Sequence, residues 1–90
     1  MIDADFVPKL AAKARLRFDR HEDKWMIVYP ERGLALNDSA AAIAHKLDGT
    51  NTIAAIADDL AKEHDADRAA VEKNIIAFVT SLHDKGLLES

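Results

Sequence analysis

The sequence predicts an α+β fold in which a three-stranded antiparallel sheet is followed by three helices. Three observations predict it. Residues 15–36 carry strand patterning, alternating or rich in aromatic and β-branched residues and broken by turns. Residues 37–86 change to apolar spacings of three and four. No linker divides the chain, and 90 residues that are 49% hydrophobic suit one core and no second. The expected domain therefore spans 1–90, with residues 1–14, interrupted by Pro8, as an extended N-terminal arm.

The first strand is Arg15-Leu16-Arg17-Phe18-Asp19-Arg20, whose period of two turns Leu16 and Phe18 inward. His21-Glu22-Asp23 is a polar turn. Lys24-Trp25-Met26-Ile27-Val28-Tyr29 is the second strand, and its mostly apolar run implies at least partial cover on both faces. Pro30 stops it, since proline donates nothing to a ladder. Arg32-Gly33 is expected to turn the chain into a short third strand, Leu34-Ala35-Leu36.

Asn37 caps the first helix, with Ala40, Ile43, Ala44 and Leu47 on one stripe and Gly49 as its stop. Thr52 or Asn51 caps the second, whose stripe is Ile53, Ile56, Ala57 and Leu60. His64-Asp65-Ala66 breaks it. Asp67 caps a long third helix in which Val71, Ile75, Phe78, Val79 and Leu82 recur on one face. Gly86 ends it, and Lys85 suits the negative end of its dipole.

Charge narrows the function. Residues 1–36 hold seven Lys and Arg against six Asp and Glu, a balance of +1; residues 37–90 hold five against ten, a balance of −5. A helical half this acidic repels a phosphate backbone, so nucleic acid is not an expected partner. No apolar run approaches the ~20 residues of a membrane span, and the N-terminus carries acids where a secretory signal carries cations. With no cysteine there is no disulfide framework or thiolate nucleophile, which suits the cytoplasm. His21, His45, His64 and His83 show no metal-ligand spacing, and no phosphate loop or nucleophile motif is present. The chain reads as non-catalytic, with no cofactor and no metal. Arg15, Arg17 and Arg20 alternate with apolar residues as on a solvated strand face; docking onto a partner enzyme is the other reading.

The ordered set Pro8-Lys9-Leu10, Arg15-Leu16-Arg17-Phe18-Asp19, Trp25-Met26-Ile27-Val28-Tyr29-Pro30-Glu31-Arg32, Leu36-Asn37, Leu47-Asp48-Gly49-Thr50 and Leu82-His83-Asp84-Lys85-Gly86-Leu87-Leu88 resembles the PqqD family over nearly the whole chain. Two departures are Ala12-Lys13, where the family often has Arg-Gly, and Leu47, where it often has cysteine. The resemblance implies a winged-helix-like peptide chaperone of pyrroloquinoline quinone (PQQ) biosynthesis. Such proteins bind the precursor peptide PqqA and present it to PqqE, a radical S-adenosylmethionine (SAM) iron–sulfur enzyme that crosslinks a glutamate and a tyrosine of the peptide. It also implies that the peptide adds as a strand beside the third strand, in a groove shared with the third helix. Relatives serve other modified-peptide pathways. A winged-helix DNA-binding regulator and a permanent structural subunit are the competing classes.

An unpaired strand edge offers N–H and C=O groups to an extended peptide, and neighbouring pockets supply selectivity. The expected peptide-binding residues are therefore Leu34, Ala35 and Leu36 on the strand and Ile76 and Val79 on the third helix. Arg68 is added to meet an acidic peptide residue. Leu34 and Leu36 read most simply as core positions whose backbone can still serve the edge, and Val79 reads as mostly core. Ile76 reads equally as a lone exposed apolar residue or a contact with a second subunit, and Trp25 reads as a packing anchor. A free edge can also pair with its own copy, giving a homodimer.

Overall fold

The computed structural model describes residues 2–89. Its sheet is an antiparallel meander of β1 (Arg15–Asp19), β2 (Lys24–Tyr29) and β3 (Arg32–Ala35), in the order β1-β2-β3. Leu16 lies opposite Ile27, and Ile27 opposite Leu34. Because side chains alternate between faces, this row points at the helices and Ile27 is wholly buried. Arg15, Arg17, Lys24, Met26, Val28, Gly33 and Ala35 belong to the opposite face.

The β2–β3 connection differs from the expected one. Tyr29 pairs directly with Arg32, so the turn is Pro30-Glu31 and Gly33 lies inside the strand. Proline presets the first turn position, and Glu31 adopts the left-handed second position at φ 66°. Two residues then suffice, and β3 begins two residues earlier than its apolar run. Gly33 serves close approach instead: a Cβ there would lie 2.8 Å from the Met26 methyl carbon.

Each helix begins on the side chain its sequence offers. In α1 (Asp38–Ala44), Asn37 Oδ1 accepts the Ala40 N–H at 2.8 Å. In α2 (Ile53–His64), Thr52 Oγ1 accepts the Ala55 N–H at 3.1 Å. In α3 (Arg68–Asp84), Asp67 Oδ2 accepts the Ala70 N–H at 3.0 Å. Such caps contribute about 1 kcal/mol each. The end of α3 is a Schellman turn: Gly86 N–H donates to His83 O at 3.0 Å and Leu87 N–H to Leu82 O at 2.9 Å, with Gly86 at φ 72°. Gly49 does not stop α1. The helix ends at Ala44, a tighter turn carries Leu47 into the core, and Gly49 lies beyond it against the arm.

The arm occupies a channel away from the three-stranded sheet. Lys9 bridges Asp48, and Leu10 bridges Leu88. Phe6 O and Ala4 O accept the Ile53 and Ala54 N–H groups at 2.9 Å each, so the arm satisfies two free donors at the start of α2. Pro8 is fully buried beneath this crossing. α1 packs on β2 and α3 on α2, and Ile27, Ile53, Ile56, Ile75, Val79, Leu82 and Leu87 fill the space between sheet and helices with no exposed surface. Leu47, one of the two departures from the family pattern, is likewise a core residue.

Candidate functional site

The sheet has two outer edges, β1 and β3. On β1, Arg15 and Arg17 flank the edge with charge, a common device against strand addition. On β3, Arg32 is exposed at the turn end, while the exposed residues Gly33 and Ala35 further along place no bulky or charged side chain there.

The phase of β3 follows from one bond. Leu36 N–H donates to Trp25 O at 2.9 Å. In an antiparallel ladder every second residue faces the partner strand, so Leu34 and Arg32 also turn their backbone groups to β2. Gly33 and Ala35 turn theirs outward. Among the described residues, no other backbone group bonds to that outer side. The N-terminal arm, the segment most able to cover it, is held elsewhere.

Two hollows open beside the C-terminal end of β3, and Asp38 lines both. One, about 550 Å³, is walled by Phe18, Trp25, Ala35, Leu36 and Ala41. The other, about 360 Å³, lies between α1 and the facing ends of α2 and α3, walled by Ser39, Ala42, Ile43, Leu60, Ala70, Val71 and Asn74. Trp25 is an anchor in the first: its ring meets Phe18 edge-on at 5.4 Å and His45 at 4.5 Å.

The expected site residues fall into two groups. Ala35 is exposed with its backbone outward, while half-buried Leu34 and buried Leu36 hold the strand to the core and to β2. On α3 the expected residues lie apart from the hollows. Val79 is wholly buried and offers no surface to a guest. Arg68 is engaged within the molecule, by the Asp58 carboxylate, by Glu72 at 3.0 Å and by Ala54 O at 3.3 Å. The bond to Asp58 is the main cause holding its guanidinium pKa above the ordinary value. Ile76 packs half-buried against the core. It lies roughly 140° around the helix from Val71, whereas Asn74 lies roughly 60° to the other side. Neither hollow is lined by Ile76, Val79 or Arg68.

The flank of α3 that borders the second hollow carries Ala70, Val71 and Asn74, which were not among the expected binding residues. The available signal was Asn37. A cap two residues beyond β3 forces α1 to start at the strand's end, so the flank of α3 facing α1 borders the opening.

Residues 24–88 match the model of the family described as coenzyme PQQ synthesis protein D. The chain belongs to the PqqD family. It is 44% identical over 87 residues to a "PqqA binding protein" of Xanthomonas campestris pv. campestris (strain B100), covering 97% of this chain and 95% of that one. Among solved structures, it is similar to the PqqD portion of Methylobacterium extorquens PqqCD, studied by solution NMR. The TM-score there is 0.88 at 37% identity, over 100% of this chain and 96% of that one. That protein is described as a stand-alone recognition element for ribosomally synthesized, post-translationally modified peptides. A lasso peptide synthetase B1, solved in complex with its leader peptide, shares the fold at TM-score 0.77 and 24% identity, over 94% of this chain and 100% of that one. The three-strand, three-helix order read from the sequence is thus the α+β arrangement of PqqD proteins.

Proposed function

We propose that this chain is a non-catalytic peptide chaperone of PQQ biosynthesis. It takes the precursor peptide PqqA as a fourth strand on the outer edge of β3. It then presents the peptide to the radical SAM enzyme PqqE, where the glutamate and tyrosine are joined. The single observation behind this reading is the outward, uncovered backbone of Gly33 and Ala35. Family membership and the 44% identity to a PqqA binding protein support the choice of peptide. Catalysis and its cofactors belong to the enzyme, and the chaperone works in the cytoplasm beside it.

Strand addition suits a short, flexible guest. Main-chain pairing supplies affinity and register, and the hollows at Asp38 supply selectivity through apolar anchors. Ordering the guest costs a few kcal/mol, so pairing alone does not suffice and the anchors are required. The regulator reading is disfavoured because residues 37–90 carry −5 and would meet phosphates with repulsion.

The test is a titration of synthetic PqqA into ¹⁵N-labelled protein. The amides of Gly33 and Ala35 should move most, followed by Leu34 and Leu36 and by Ala70, Val71 and Asn74 on α3. Still amides on β3 at saturating peptide overturn the strand-addition site.

A further inference from the structure

We infer that the outer face of the sheet, centred on Met26 and Val28, is a docking surface for an acidic protein surface, separate from the edge that takes the peptide. The inference rests on the chaperone reading above, because it asks where the processing enzyme sits while the guest strand is in place.

The face breaks the usual alternation. A solvated sheet face carries polar residues, yet β2 presents Met26 and Val28 there, both only partly covered. The Met26 methyl group lies over Gly33, and Ala35 adds no bulk, so this part of the face is apolar, and a shallow hollow of about 580 Å³ lined by Arg17, Met26 and Val28 opens beside it. Methionine adapts its shape to a partner at little cost.

The rim of the face is cationic. Arg15 stands opposite Val28, and Arg17 opposite Met26. Lys24 continues the face one pair further. Among the described residues, no salt bridge engages any of the three. The one strand acid on this face is Asp19, which stands opposite Lys24 and accepts the His21 N–H at 2.9 Å, so three cations against one carboxylate leave the face a balance of +2. In a chain of net charge −4, positive charge is thus gathered around an apolar centre. That pattern fits an acidic rim on a partner protein. It does not fit an identical copy of the same face, which would oppose arginine to arginine.

The placement also suits presentation. Neighbouring strands are about 4.8 Å apart, so a guest beside β3 lies about 10 Å from β2. A partner seated on Met26 reaches the guest without displacing its backbone.

The experiment measures the affinity of the purified iron–sulfur radical SAM enzyme for four forms of the protein: wild type, R15E/R17E, R15A/R17A and K73E. Lys73 is an exposed residue of α3 that lines neither hollow, and K73E lowers the net charge by as much as R15A/R17A does, so it controls for net charge against that pair. PqqA affinity is measured on the same samples. R15E/R17E should weaken enzyme binding about tenfold or more, R15A/R17A less, and K73E by under about twofold, with peptide affinity within about twofold throughout. If R15E/R17E does not fold by circular dichroism, R15A/R17A alone decides. Unchanged enzyme affinity in the arginine variants, or an equal loss in K73E, overturns the docking face. So does self-association of the wild type that R15E/R17E dissolves, which would assign the face to a second copy. Failure of the wild type to bind PqqA overturns the chaperone reading instead.

Discussion

The amide of Leu36 donates to the carbonyl of Trp25 at 2.9 Å, and this bond fixes which half of the β3 backbone faces outward. The two neighbouring positions on β3 therefore respond oppositely to proline. Ala35→Pro removes an outward N–H, a change edge strands tolerate. It should weaken PqqA binding roughly tenfold, by loss of one hydrogen bond, and leave the thermal midpoint nearly unmoved. Leu34→Pro removes a donor facing Ile27 and should cost about 3 kcal/mol or more of stability. Calorimetric titration and thermal melts on both variants check this. Equal binding loss per folded molecule in the two would remove the distinction between inward and outward groups.

The two flanks of α3 also separate stability from binding. Val79 has no exposed surface, so Val79→Ala should cost about 2 kcal/mol of stability and leave peptide affinity per folded molecule unchanged. Ala70 is exposed and lines the hollow between α1 and α3. Ala70→Trp fills that hollow and should lower peptide affinity several-fold at near-constant stability. Ile76→Asp lies on the other flank and should lower stability more than affinity, because Ile76 packs on the core. Urea denaturation beside peptide titration measures both quantities.

What the sequence made legible, and what it hid, follow from the range of the interactions involved. Caps are local, so Asn37, Thr52 and Asp67 could be read from residue type and spacing. The second strand was legible because four strand-favouring residues, Trp25, Ile27, Val28 and Tyr29, stand between clear stops at Asp23 and Pro30. The β2–β3 turn was not, because Glu31 takes a left-handed conformation that residue type does not advertise, and Gly33, two residues on, drew the expected turn too far along the chain. The arm's course was hidden for a different reason. Its partners, Asp48, Ile53 and Leu88, lie at least about forty residues away in sequence, beyond any local pattern. The same distance concealed the flank of α3 that borders the opening. Apolar spacing identifies the buried stripe but not which neighbouring helix stands beside each margin.

Glu31 carries a further prediction. A non-glycine residue at φ 66° is strained relative to glycine, and Glu31 is exposed with no contact that requires its side chain. Glu31→Gly should raise stability by about 0.5 kcal/mol, the relief of strain being partly offset by the greater freedom glycine gives the unfolded chain. A chemical melt resolves this change. A loss of stability would mean that the turn does not adopt the Pro-Glu geometry.

The pH dependence of stability tests the link between α1 and α2. Lys46 Nζ lies 2.8 Å from Glu63 Oε2, joining the turn after α1 to the last turn of α2. The hydrogen bond to Glu63 is the main cause raising the Lys46 pKa above 10.5, and the same bond is the main cause lowering Glu63 below 4.5. The two signs set the window. The Glu63 contribution is fully present above its unfolded pKa and is lost as pH falls through its lowered folded value. The Lys46 contribution is fully present below its unfolded pKa and is lost as pH rises through its raised folded value. The stability difference between wild type and Glu63→Gln should therefore be flat between pH 4.5 and 10.5 and shrink beyond either limit. Because the pair is solvent-accessible, the plateau should also fall with added salt. Thermal melts of both forms across pH, at low and high salt, measure it; a difference that is insensitive to pH and salt alike would assign the contact to packing of the Lys46 stem rather than to charge.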